Sequence, residues 1–566
     1  MKRFILIVIF AAAATGAVFY AVRHATTGPQ TTVAALLPRE TIAFVHVPDL
    51  NRTRDQWHET DLYKLYREPA VQDFLKRPLA QMPKREAGSQ TLRDLEQLQL
   101  KDGFVAVVSI ENNNPIMLAG FRFRGSQANA EKVIDKWRGI AAKHDTLDYQ
   151  QHKIEVAGEG FNLVATVYDG DWFLAANNVD QLKALLDRID ARAAGRAVTL
   201  DADENFRAAL AHMPSTYAAL FYLQPKSFSD KLASLRAQAG SPTTSSQQTL
   251  IEQVRSICGA IRFDGGKIRD IWFVGMPKQE QTANLARTAA ALGTTDTFLY
   301  FAMLLNVERI SVLNQSGSTA LMAAWLQKVF DVASRNGLTA EDWKTAFDLE
   351  LGSLADWPAD KQWPSLVATL PVKDPVRANK IVNAMTSAID EDAGWTKIDK
   401  NGVHYFVMQT PASLFAVAPT IALSNKLLVA GVDSASVETV MNRLQAGKGG
   451  LAQTESYKSA ARALTEPTNF FMYVDMPLLY SRVDNSVRPM LLMTAAFMPG
   501  VSEYVDVSKL PAAEVVTKHL SPIVSSQRYD RDGYVSESVG PITLTQLGVG
   551  IAFPGFFWWN SHHPRH

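Results

Sequence analysis

The chain has 566 residues, 47% hydrophobic and 20% charged, which is long enough for several domains of roughly 100–200 residues and too apolar for a disordered one. Lys plus Arg equals Asp plus Glu at 57 each; this removes the basic field a nucleic-acid partner requires and the acidic excess of a solvating tail. Cys258 is the only cysteine, which excludes an intramolecular disulfide framework, a multi-cysteine zinc site and a lipid-modified cysteine after the N-terminal apolar run.

In chain order, Lys2 and Arg3 precede an apolar run over residues 4–22, closed by Arg23 and His24. At about 1.5 Å per residue such a run spans roughly the 30 Å of a bilayer's hydrocarbon core. The charge asymmetry predicts a single-pass anchor in the cytoplasmic membrane, with the N-terminus inside and the remaining chain outside. A cleaved signal is the competing reading: Ala12, Ala13 and Ala14 offer small residues for cleavage, at the cost of an apolar stub on the mature chain.

After a polar spacer over residues 26–32, a β-rich run over 41–47 opens a mixed α and β module, and that module returns. Residues 41–45 match 297–301, 129–134 match 377–382, and 171–176 match 426–431, each of the last pair leading into an amphipathic helix. The Pro214 to Pro225 segment mirrors Pro467 to Pro477, and Arg262-Phe263-Asp264 matches Arg528-Tyr529-Asp530. The offsets range from 248 to 266 residues, as loop insertions would produce. The predicted organisation is an anchor and spacer over 1–32, a first α+β repeat over 33–292, a second over 293–545, and an aromatic and His-containing tail over 546–566.

Within each repeat, strand runs such as 104–110 and 161–168 adjoin turn signals such as Asp169-Gly170 and Asp532-Gly533, which predicts a mainly antiparallel sheet. Helices are expected to cover one sheet face. Leu182, Leu185, Leu186 and Ile189 fall at helical spacing and form one apolar stripe, a core signature. Thr339 with Asp342 reads as a capping box. The stretch 240–246 reads as a surface loop. Trp172 and Leu427 are expected to point inward.

No segment assembles a recognisable reaction centre. Gly447-Lys448-Gly449-Gly450 lacks the spacing and the Ser or Thr of a phosphate loop and reads as a turn. The acidic groups Asp201, Asp203, Glu204 and Asp390, Glu391, Asp392 read as surface charge, the first set at a helix start, where acids meet the helix dipole favourably. Phe206 stands where a calcium loop needs glycine. Cys258, among Ile257, Ala260 and Ile261 on a predicted strand, reads as a small buried hydrophobe. His562, His563 and His566 form a terminal cluster able to hold a metal weakly, or a solvated tail. No catalytic, cofactor-binding or metal-binding residue is assigned.

The run 547–559 holds Phe553, Phe556, Phe557, Trp558 and Trp559 but is too short to span a bilayer and is broken by Pro554. Two partners fit it: the membrane interface that holds the anchor, or a groove of the second repeat.

The strings Leu36-Leu37-Pro38-Arg39-Glu40-Thr41 and Phe44-Val45-His46-Val47-Pro48-Asp49, then Leu62-Tyr63 and Phe74-Leu75, resemble a family of large exported bacterial proteins known only as a domain of unknown function. So do Phe273-Val274-Gly275-Met276-Pro277 and Leu510-Pro511-Ala512-Ala513-Glu514. That resemblance implies an envelope location and brings no catalytic residues. The functional expectation is a non-catalytic, membrane-anchored envelope protein that binds, scaffolds or assembles, against the alternative of a periplasmic hydrolase of wall polymers or peptides. Its protein, peptide or lipid partner is left open.

Overall fold

The computed structural model describes residues 33–81, 97–111, 114–138, 144–160, 163–193, 198–225, 253–278, 284–305, 334–335, 337–388, 394–409, 418–447, 450–497 and 506–546. The predicted anchor and spacer, the loop at 240–246, the acidic cluster at 390–392, Lys448 and Gly449, and the tail from 547 lie outside these residues. Among the described residues no helix is long and apolar enough to cross a membrane.

The chain divides into two compact units. Unit one takes Met1–Thr243, Ile251–Pro277 and Asp530–Val535; unit two takes Thr244–Leu250, Lys278–Tyr529 and Ser536–His566. The sequence placed the join near Leu292. In the structure Ala289, Ala290 and Leu292 pack in the core of unit two with Tyr300 and Leu354, so the chain has already changed units by then.

Unit one contains, in order, β1 (Ala43–Asp49), α1 (Leu50–His58), α2 (Asp61–Arg67), α3 (Pro69–Gln81), β2 (Lys101–Glu111), β3 (Asn114–Arg122) and α4 (Gln127–Arg138). Four short strands follow: β4 (His144–Tyr149), β5 (His152–Ala157), β6 (Val164–Asp169) and β7 (Trp172–Ala176). Then come α5 (Val179–Ala193), α6 (Glu204–Leu210), β8 (Ala219–Leu223), β9 (Ser256–Asp264) and β10 (Lys267–Gly275). Every pairing is antiparallel, and the sheet order is 10-9-8-1-2-3-7-6-5-4.

Unit two contains β11 (Thr297–Leu304), α7 (Ala340–Ala346), β12 (Glu350–Asp356), β13 (Ser365–Pro371), α8 (Pro375–Ala388), β14 (Trp395–Lys400), β15 (Val403–Met408), β16 (Thr420–Leu423) and β17 (Leu427–Gly431). These lead to α9 (Ser434–Ala446), α10 (Glu455–Arg462), β18 (Phe470–Val474), α11 (Met476–Phe497), α12 (Ala513–Thr517) and β19 (Ile523–Asp530), while β20 (Gly533–Gly540) is divided, its first three residues falling in unit one. Its antiparallel order is 19-18-11-12-13-17-16-15-14. Adding ten to the labels of β1 to β9 reproduces this order strand for strand.

Local chemistry accounts for these elements. Gly265 and Gly266, both at positive φ (56° and 86°), make the two-residue turn between β9 and β10, a conformation that side chains with a Cβ resist. Asn401 and Gly402 (54° and 73°) do the same between β14 and β15. Thr339 and Asp342 close the predicted capping box on α7. Gly447, in the left-handed region, ends α9, which fits the expected turn.

Helices cover both faces of each sheet, where the sequence suggested one. Adjacent strand residues point to opposite faces, and both parities are apolar: Leu174 belongs to one core with Phe104, Leu118 and Leu185, while neighbouring Phe173 packs with Val47, Ala130 and Ile134 of the other. Unit two repeats this, with Val429 in a core with Val437 and Val440 and neighbouring Leu428 beside Ile381 and Phe406. The two-sided cover follows from strands whose residues are apolar on both parities, a pattern that alternation read on single strands conceals.

Leu182, Leu185 and Leu186 are fully buried and Ile189 packs against the same core, as their spacing predicted. Leu427 is buried, but Trp172 is only half-buried, lying edge-on to Phe104 at 6.1 Å. Trp172→Ala is therefore expected to cost less than the about 3–5 kcal/mol of a fully buried aromatic, and Phe206→Ala to fall within that range. Chemical denaturation of the two variants checks this, and equal losses would refute the half-buried assignment.

Candidate functional site

A polar set in unit one starts from the buried His46 on β1. Its Nδ1 lies 3.0 Å from the hydroxyl of Tyr217, which leads into β8. Its Nε2 lies 3.5 Å from Asp102 Oδ1 on β2, at ion-pair distance without hydrogen-bond alignment. The Asp102 carboxylate continues to Arg122 Nη1 at 3.4 Å, and Arg122 Nη2 reaches Asp171 Oδ2 at 2.6 Å. The guanidinium also sits 6.0 Å from the Trp172 ring centroid.

A bulge aims Asp102 into this set. The β2–β3 register shifts between Lys101 and Phe104, and Asp102 takes φ +47°, a left-handed conformation that Asp tolerates better than most residues. Beside it, Gly120 lets β3 close on β2, since a Cβ there would lie 2.7 Å from Leu174 Cδ2 and 2.9 Å from Phe104 Cε1.

The electrostatics close the network on itself. Burial alone would raise the Asp102 carboxyl, but the charge of His46 and Arg122 beside it, with the hydrogen bond from Arg122, outweighs it and holds the group below its ordinary value. Arg122 is raised, chiefly by its hydrogen bond to Asp171. Tyr217 is pushed well up by burial, so its hydroxyl stays protonated. His46 and Tyr217 are each 2% exposed. The Tyr217, His46 and Asp102 contacts tie β1, β2 and the lead-in of β8 together.

The groups singled out from sequence are held the same way. Asp203 caps α6 by accepting from the Phe206 amide at 2.9 Å, and Asp201 accepts from Thr199 Oγ1 at 2.5 Å. Phe206 lies in the core. Cys258, on β9 as expected, is fully buried, and burial raises its thiol far above the range of a thiolate nucleophile. No group of three His, Cys, Asp or Glu able to hold a metal occurs among the described residues. Asp203 is buried, a correction to its reading as surface charge, because its carboxylate turns inward to the Phe206 amide.

Two features escaped the sequence reading. Glu350 on β12 is buried and accepts from the amides of Ala286, Arg287 and Thr288 at 2.6, 2.9 and 2.6 Å. Nothing in the local sequence marks this capping acid, because its partners lie more than sixty residues earlier. The other is the distal part of α11. Arg488 fixes its middle through Asp484 and the carbonyls of Leu510 and Pro511. Beyond it Met490, Leu491, Leu492 and Met493 are 42%, 41%, 46% and 59% exposed. The signal was present in the sequence, which carries no charged side chain between Arg488 and Glu503.

Comparison with known proteins agrees with the resemblance to an uncharacterised family. Residues 338–490 match the family described as Protein of unknown function (DUF3352). The match lies in unit two and covers none of the strings that carried the resemblance. No curated protein matches the chain in sequence. Crystal forms III, I and IV of TP0453 are structurally similar at 5%, 5% and 6% identity. They cover 45%, 45% and 44% of this chain and 83%, 82% and 81% of theirs, with TM-scores of 0.23, 0.23 and 0.24.

The lowered Asp102 gives a signed pH dependence. A carboxyl whose folded value lies below its unfolded value of about 4 stabilises fully above that pH, and the contribution fades as pH falls through the folded value. Thermal melts between neutral and strongly acid pH should show Asp102→Asn less stable than the parent at neutrality, with the difference shrinking in acid. A difference that stays constant across the range would remove Asp102 from the ionised network.

Proposed function

We propose that the chain consists of two copies of one α+β module held at a membrane by its N-terminal apolar run, and that it serves the cell envelope by binding or assembly without turnover. The observation that carries the copy reading is the shared strand order, offset by ten labels throughout, with helices in matching intervals: α4 and α8 after the third strand, α5 and α9 after the seventh, α6 and α10 before the eighth. Two unrelated sheets have many antiparallel orders open to them, and agreement over nine strands favours duplication. The sequence offsets point the same way.

Binding is favoured over catalysis by what the polar side chains do. The sets richest in titratable groups cap a backbone or clamp strands, and their acids are already engaged by cations or amides. Recognition through a surface needs no such set and leaves no motif. The membrane tether rests on Lys2 and Arg3 before the run at residues 4–22.

Alkaline phosphatase fused after Thr32 is expected to be active and a cytoplasm-only reporter at the same point silent. The reverse pattern would end the proposed topology.

A further inference from the structure

The distal part of α11 is built for a lipid surface. We propose that residues 490–493 enter one leaflet of a bilayer, so that the protein touches its membrane at a second place; this rests on the membrane-tethered reading and names a lipid contact for it. Four consecutive helical residues step about 100° each and so point around nearly the whole helix. All four are apolar, and all four are more than two-fifths exposed.

A groove on a protein takes one stripe of a helix, read at every third or fourth position, and leaves the other side to water. An apolar helix that is exposed all round is matched by a medium that surrounds it, and lipid does this. Charge agrees, because Arg488 is the last charged residue before Glu503. Length agrees as well. Half of a hydrocarbon core of about 30 Å is about ten helical residues, close to the length of α11 from Pro489 to its end at Phe497.

The foot of this arm is fixed. Arg488 donates to Asp484 Oδ1 at 2.6 Å, to the Leu510 carbonyl at 3.1 Å and to the Pro511 carbonyl at 2.5 Å. Pro489 follows within the helix. The residues beyond are thus held to unit two at their base while their side chains face outward, which lets them enter lipid without unfolding the module.

The full chain offers a clean probe, since its sole native thiol, Cys258, is fully buried. Leu492→Cys carrying a polarity-sensitive fluorophore is reconstituted with vesicles of phosphatidylethanolamine and phosphatidylglycerol, beside a control label at Val376→Cys, a position 80% exposed. Nitroxides on the lipid chains are expected to quench most of the emission at 492 and little at 376, and aqueous iodide to do the opposite. Iodide quenching at 492 equal to that at 376 would place the arm in water, and protection from both quenchers would mean that protein covers it; either overturns the proposal. Flotation of the same samples separates the two readings. Loss of lipid quenching in a chain that still floats overturns the arm alone, while a chain that fails to float overturns the tether and the arm together.

Discussion

The pairing of each unit's first strand with a strand far along the chain is the constraint on which the rest depends. In unit one β1 bonds to β2 on one side and to β8 on the other, with Ala43 opposite both Val107 and Leu223. Within unit one β9 and β10 follow β8 in the sheet order. If the β1–β8 seam fails, β1 and β8 each expose an unpaired edge. In unit two β11 holds the same place between β12 and β18.

The His46 network makes sense against that seam. His46 belongs to β1, Asp102 to β2, and Tyr217 to the lead-in of β8, so one imidazole touches all three segments that must meet. Leaving any member without the others would strand a buried polar group at a cost of about 1–3 kcal/mol. Register slips are penalised as well, since a shift by one residue turns His46 to the opposite face. Unit two fixes its seam by other means. Glu350, the first residue of β12, gathers three amides of the segment entering the unit, while Asp356 at the far end binds Thr297 Oγ1 at 2.5 Å and Arg443 at 2.6 Å. The shared topology is thus held by different polar contacts in each unit. Apolar parity is what the two have in common, and the polar fastenings differ.

Long seams leave part of the surface free to vary, and α11 shows this. Its first turns lie beside β11 and are fastened by Asp475, which accepts from the Leu478 amide, and by Arg482, which reaches Asp296 and the Trp357 carbonyl. Past Arg488 the exposed side chains of residues 490–493 are apolar. A soluble surface seldom places four large apolar residues in a row on an exposed helix. The base is rigid and the end is greasy, which is the arrangement a peripheral lipid contact requires.

The sequence by itself determined the features set by neighbours along the chain. The stripe of Leu182, Leu185 and Leu186, the capping box at Thr339, the helix start near Asp203, the burial of Cys258 and the strand character of residues 43–47 and 427–431 depend on spacing or local hydrogen bonds, and these are legible from a few adjacent residues. Matching segments at offsets near 250 residues were legible too, because similar strings need no fold to be compared. Only the tertiary structure decided which strands pair, that helices cover both sheet faces, that Trp172 is half-buried, and that His46, Tyr217, Asp102 and Arg122 meet. Those outcomes rest on contacts between residues tens to hundreds of positions apart, whose partners are selected by the packing of whole elements. A single sequence records each participant, but it carries no mark of which distant group it will face.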